Sequence, residues 1–134
     1  MPSRNRVVLL TGAAGGIGRV MAQALLEDRH SVAAVDRDAD SLERLKTSLP
    51  AAERFCPIPA NLGTEAGCTR AIETALQRFG TIEVLINNAG IGMSAIRPDA
   101  EARHPGIEEL TVLARWDRYY QRPLRGTYSC STRT

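Results

Sequence analysis

Four apolar residues, Val7-Val8-Leu9-Leu10, run directly into Thr11-Gly12-Ala13-Ala14-Gly15-Gly16-Ile17-Gly18. That junction constrains the fold more than any other stretch. The continuous apolar run suits a strand buried on both faces, and such strands belong to parallel sheets covered by helices. The glycines permit a turn too tight for residues that carry a Cβ. Past the turn, Ile17, Val20, Met21, Ala24 and Leu25 recur at i, i+3, i+4, i+7 and i+8, which predicts a helix with those five on its inner face. A glycine turn that opens a helix brings bare backbone amides and the positive end of the helix dipole to one point, the chemistry that holds a phosphate.

The rest of the chain repeats the alternation. Ser31–Asp36 reads as a second strand, small and apolar, ending in an acid. Asp38 to Asp40 cap a second helix with a stripe of Leu42, Leu45 and Leu49, ended by Pro50. Phe55–Ala60 is a weaker third strand, which Pro57 and Pro59 place at a sheet edge or leave only partly paired. Asn61-Leu62-Gly63 is a turn, and Thr64 caps a third helix with a stripe of Ile72, Ala75, Leu76 and Phe79, stopped at Gly80. Ile82–Ile86 is a fourth strand running into Asn87-Asn88-Ala89-Gly90. Alternating strands and helices with short connections predict an α/β fold, a Rossmann-like three-layer αβα arrangement around a parallel sheet. The doubly wound rule gives the strand order 3-2-1-4. Residues 91–110 read as a loop. Residues 111–134 read as a terminal helix kinked or frayed at Pro123, since proline inside a helix costs about 3 kcal/mol.

Composition narrows the function classes. At 134 residues and +2 net charge the chain fits one domain with no electrostatic bias toward a partner. Five arginines after Ala114 (Arg115, Arg118, Arg122, Arg125, Arg133) face only Asp117, but no aromatic platform accompanies them, so no nucleic-acid partner is expected. Cys56, Cys68 and Cys130 form no CxxC pair, which argues against a zinc site or disulfide framework and for reduced thiols in the cytoplasm. His30 and His104 have no partnered motif. No stretch has the length and apolarity of a membrane span or a signal peptide.

Asp36 lies 18 residues beyond Gly18, at the end of the second strand. A carboxylate there accepts hydrogen bonds from the hydroxyls of an adenosine ribose and repels a 2′-phosphate, so NAD is preferred over NADP. Arg37 beside it tolerates a 2′-phosphate and keeps NADP as the second choice.

Taken together, Thr11-Gly12-x-x-x-Gly16-Ile17-Gly18, Asp36, Asn61-Leu62 and Asn87-Asn88-Ala89-Gly90 resemble the short-chain dehydrogenase/reductase family in its shorter form. The resemblance covers about residues 6 to 128. It implies an NAD(P)-dependent oxidoreductase that moves a hydride between the nicotinamide and an alcohol or carbonyl substrate. It assigns the pyrophosphate to Gly12, Ala14, Gly15, Gly16, Ile17 and Gly18, the adenine ribose to Asp36, with Arg37 beside it as the residue that could meet a 2′-phosphate, the adenine to Asn61 and Leu62, and a place near the cofactor to Asn88, Ala89 and Gly90.

The family's proton-transfer machinery, a Ser followed by Tyr-x-x-x-Lys, has no counterpart. Lys46 is the only lysine, and Pro123 stands where the family carries a helical Asn. The expectation is a C-terminally truncated member with no catalytic residue of its own and no turnover by itself. Its substrate would be engaged only in a longer form. The alternative is a non-catalytic dinucleotide-binding or interaction module, self-associating through the apolar edge of the fourth strand. A Rossmann-like methyltransferase is disfavoured by the glycine spacing.

Overall fold

A computed structural model describes residues 4–90. The expected loop at 91–110 and the terminal helix at 111–134 lie outside the described residues. The elements are β1 (Val7–Thr11), α1 (Gly16–Glu27), β2 (Ser31–Asp36), α2 (Ala39–Ser48), a short 3-10 turn (Ala52–Arg54), β3 (Phe55–Pro59), α3 (Glu65–Phe79) and β4 (Val84–Ile86). All pairings are parallel, and the sheet order is β3-β2-β1-β4, as the doubly wound rule predicts.

Side-chain alternation along the strands builds two cores. Leu10, Val32 and Ala34 point to one face, where they meet Ala22 and Leu26 of α1, Leu42 and Leu45 of α2, and Phe55. Leu9, Ala33, Val35 and Ile58 point to the other face, where they meet Ala71, Ile72 and Ala75 of α3. Because both faces of β1 and β2 are covered, their sequences read as unbroken apolar runs.

The caps follow the expected chemistry. The Asp38 carboxylate accepts from the Ser41 amide at 3.0 Å, the Thr64 hydroxyl accepts from the Gly67 amide at 3.0 Å, and Gly80 ends α3 in the left-handed region at φ 78°. Leu49, the residue before Pro50, is extended at ψ 143°, which stops α2 at Ser48. β3 is an edge strand, consistent with Pro57 and Pro59. β4 is two residues shorter than expected, with Ile82 and Glu83 outside the strand.

Two helix faces differ from expectation, for one reason. In α1 the buried residues are Gly18, Ala22 and Leu26, while Ile17 and Val20 are 71% and 69% exposed. In α3 the expected Ile72 and Ala75 are buried and Phe79 packs on the core, so the difference is confined to Leu76, 42% exposed, with Gly67, Cys68 and Ala71 joining the buried set. Small residues let a helix axis approach the sheet, so the face centred on Gly18 and Ala22, or on Ala71 and Ala75, turns inward. Met21 and Leu25 are left on the shoulder of α1, half-buried.

Candidate functional site

The order β3-β2-β1-β4 reverses between β1 and β4, because the chain moves outward from β1 to β3 and then returns to the other side of β1. The loops after β1 and β4 therefore leave in different directions, and a crevice opens at the carboxyl ends of the strands. A cleft of about 140 Å³ lies there. It is lined by Gly12 of the glycine turn, Val35, Asp36 and Arg37 at the end of β2, Ala60 to Gly63 after β3, and Ala89 and Gly90 after β4.

The glycine turn is held by its backbone. Gly12 has φ 65°, the Gly15 amide donates to the Gly12 carbonyl at 3.2 Å, and the Ala13 amide donates to the Val35 carbonyl at 3.1 Å. A Cβ on Gly12 would come within 2.9 Å of the Ala89 Cα, and one on Gly18 would collide with the Gly12 carbonyl oxygen. These two positions accept only glycine, one because of its backbone angle and the contact with the β4 loop, the other because α1 packs directly on the turn. Gly15 precedes α1 without a side-chain cap, and the first turn carries no acid. The amides of Gly16, Ile17 and Gly18 precede the first helical carbonyl available to them and point out of the helix end. An uncapped, acid-free helix start of this kind is suited to an external anion.

Asp36 ties the two halves of the site together. Its Oδ2 accepts from the Ala14 amide at 3.1 Å, and its Oδ1 accepts from the Asp38 amide at 3.1 Å. The carboxylate is thus pinned in orientation while keeping lone pairs for further donors. Ala14 reaches the site through its amide rather than by lining the cleft.

A second tie joins the glycine turn to the β4 loop. Thr11 is 2% exposed, and its hydroxyl accepts from the amides of Asn88 and Ala89, both at 3.0 Å, while donating to the Ile86 carbonyl at 3.3 Å. The Asn88 side-chain amide donates to the Gly12 carbonyl at 3.3 Å.

Of the residues expected from the sequence, Gly12, Asp36, Arg37, Asn61, Leu62, Ala89 and Gly90 line one cleft. Gly15 to Gly18 form the helix start that follows the same turn, and Asn88 braces the turn from behind. Sequence reasoning gave no site role to Val35, Ala60 and Gly63, nor to Thr11, which entered only as the first residue of the glycine motif. Val35 and Ala60 directly precede Asp36 and Asn61, so neighbourhood alone would have found them. Thr11 carried a weaker signal, a lone hydroxyl residue closing an apolar strand. Among the described residues no group of three or more His, Cys, Asp or Glu is placed to hold a metal, and no helix is long and apolar enough to cross a membrane.

The family model for short chain dehydrogenases matches residues 6–134. This chain belongs to the short-chain dehydrogenase family. Similar relatives include a rhamnolipid-biosynthesis 3-oxoacyl-[acyl-carrier-protein] reductase of Pseudomonas aeruginosa, 31% identical over 93% of this chain and 44% of its own. Another is the 2-(R)-hydroxypropyl-CoM dehydrogenase of Xanthobacter autotrophicus, 32% identical over 92% of this chain and 47% of its own. Among solved structures, a 3-ketoacyl-(acyl-carrier-protein) reductase from Brucella melitensis, complexed with NADH, superposes with a TM-score of 0.79 at 32% identity, over 96% of this chain and 48% of that one. The short-chain dehydrogenase chain described here thus spans about half the length of these relatives. Members of the family are oxidoreductases that use a nicotinamide dinucleotide, and the cleft lies where such open α/β sheets bind one.

Proposed function

We propose that this chain binds NAD, with the pyrophosphate on the amides of Gly16 to Gly18 and the adenine ribose on Asp36. The observation that carries the reading is the pinned carboxylate of Asp36, held at the cleft by the amide of Ala14 from the glycine turn itself. An acceptor fixed in that place pairs with two ribose hydroxyls and opposes a 2′-phosphate, so NAD is favoured over NADP; Arg37 is the residue that would soften the discrimination. Leu62, Ala60 and Val35 supply apolar walls for the adenine, and Asn61, Ala89 and Gly90 close its sides. The bound dinucleotide would supply hydride-transfer chemistry toward an alcohol or carbonyl. The residues named here orient it.

The sequence holds no Tyr-x-x-x-Lys, and we propose that the 134-residue chain by itself binds the dinucleotide without turning it over. Self-association through β4 fits the same reading, since β1 is its only strand partner among the described residues. A cytoplasmic setting fits it as well, since the three cysteines are odd in number and form no CxxC pair.

The test is a calorimetric titration with NADH and NADPH, paired with Asp36→Ala and circular dichroism to check folding. NADH binding that is at least tenfold tighter than NADPH binding, and lost in folded Asp36→Ala, is the expected result. Equal affinity for both cofactors, or no binding of either by folded protein, would sink the reading.

A further inference from the structure

The wall of the cleft formed by Asn61, Leu62 and Gly63 is built against the first turn of α3, at Gly67. The Asn61 carbonyl oxygen lies over that turn. It accepts from the Thr64 amide at 3.2 Å and from the Thr64 hydroxyl at 2.9 Å, and the same hydroxyl accepts from the Gly67 amide at 3.0 Å. The Asn61 side chain folds back to accept from the Gly63 amide at 3.0 Å. A Cβ on Gly67 would collide with the Asn61 carbonyl oxygen, lie 2.6 Å from its carbon and 3.0 Å from the Thr64 hydroxyl. The first two partners are backbone and cannot swing aside.

The chain on either side of Asn61 is anchored. The Ala60 amide donates to the Asp36 carbonyl at 2.9 Å, and Leu62 packs on the α3-side core. A displacement forced by a side chain at 67 therefore falls on Asn61 and Gly63, both of which line the cleft.

On these contacts we infer that Gly67 is a positioning residue for the adenosine end of the cleft. Its missing side chain lets the Asn61 carbonyl settle on α3 and so sets the distance between the Asn61–Gly63 wall and Asp36. Gly67 touches no ligand itself and acts through Asn61. The inference rests on the reading of the cleft as a dinucleotide site, but the device can be detected in the free protein.

The experiment compares the parent chain with Gly67→Ala, using ADP-ribose as the probe in calorimetry and amide hydrogen exchange of the ligand-free proteins. Alanine is a better helix former than glycine, so a merely structural helical site would gain stability and bind unchanged. The expected result is at least tenfold weaker ADP-ribose binding, at unchanged helix content, with at least tenfold faster exchange at the Gly63 and Thr64 amides. Ala66→Gly, which weakens the same helix without touching Asn61, should lower the melting temperature and leave binding unchanged.

If Gly67→Ala does not fold, Thr64→Val, which removes the hydroxyl without adding volume, should weaken binding, and Thr64→Ser should restore it. Parent-like binding and exchange in Gly67→Ala, or parent-like binding in Thr64→Val, overturns the inference. If the parent itself binds no ADP-ribose, the dinucleotide reading fails, and the exchange rates of Gly63 and Thr64 alone decide the role of Gly67.

Discussion

Replacing Thr11 by valine isolates the tie between the glycine turn and the β4 loop. Valine has nearly the volume and branching of threonine, so the 2%-exposed site neither empties nor overfills. The hydroxyl is what disappears. The Ala89 amide then loses its hydroxyl acceptor, and the Asn88 amide falls back on the Ile86 carbonyl, 3.2 Å away. Leaving one partly buried N–H unmade costs about 1–3 kcal/mol, and losing the hydroxyl's other two bonds, to the Asn88 amide and the Ile86 carbonyl, which still pair with each other, adds roughly 0.5–1.5 kcal/mol. Solvent reaching the half-buried Ala89 pulls the sum toward its lower end, so about 2 kcal/mol is expected. In a domain of this size that lowers the melting temperature by roughly 5–10 °C.

Thr11→Ser is the control. It keeps the hydroxyl and removes one buried methyl, at a cost of about 1 kcal/mol. Urea unfolding of the three proteins, followed by circular dichroism, reads the order directly. Valine should have the lowest midpoint with an unchanged slope. If serine proves the more damaging substitution, Thr11 matters through its methyl group, and the hydrogen-bond account of the loop is wrong.

The glycines of the turn should separate cleanly. Gly18→Ala, whose Cβ would meet the Gly12 carbonyl and lie 2.8 Å from the Ala13 Cα, should destabilise by at least about 1–3 kcal/mol, whereas Gly16→Ala, with open space around the added carbon, should be neutral or slightly stabilising in a melting comparison. Asp38 gives a pH dependence. The Ser41 hydroxyl, and then its amide, hold the Asp38 carboxyl below the ordinary 3.8. Because the folded pKa is depressed, the cap contributes fully above the ordinary carboxylate pKa and is lost as pH falls through the folded value. Amide exchange in the first turn of α2, corrected for intrinsic rates, should therefore be more protected at pH 6 than at pH 3, and Asp38→Asn should flatten that difference.

Much of this architecture was legible because local signals agreed. The apolar run before Gly12, the acid ending β2, the prolines of β3 and the caps at Asp38, Thr64 and Gly80 each point to the same parallel sheet. The motifs also converged on the cleft, because Asp36 ends a strand and Gly12, Asn61 and Ala89 lie within three residues after one, and parallel strands deliver such positions to one end.

What was not legible depends on distance between elements. The stripe Ile17-Val20-Ala24 has the right period but the wrong phase, since periodicity weighs bulky side chains while the sheet accepts the small ones. The roles of Thr11 and Gly67 exist only once β4 lies beside β1 and the turn after β3 lies over α3. A hydroxyl or a missing Cβ gives no sign in the sequence of which backbone it will meet.

The position of β1 at the centre of the sheet also has a consequence for synthesis on the ribosome. One side of β1 pairs with β2, which follows it closely, but the other side waits for β4. The Val7 amide and the Glu83 carboxylate that receives it are 76 residues apart, the same offset as the whole β1–β4 register. At ~5–20 residues per second the nascent chain carries that open, apolar strand edge for roughly 4–15 s before its partner is made. Of the bonds that hold the glycine turn, those to β2 have their partners in the chain already made, whereas those from the β4 side do not. The crevice at the reversal of strand order is therefore the part of the described fold whose residues are completed last in synthesis.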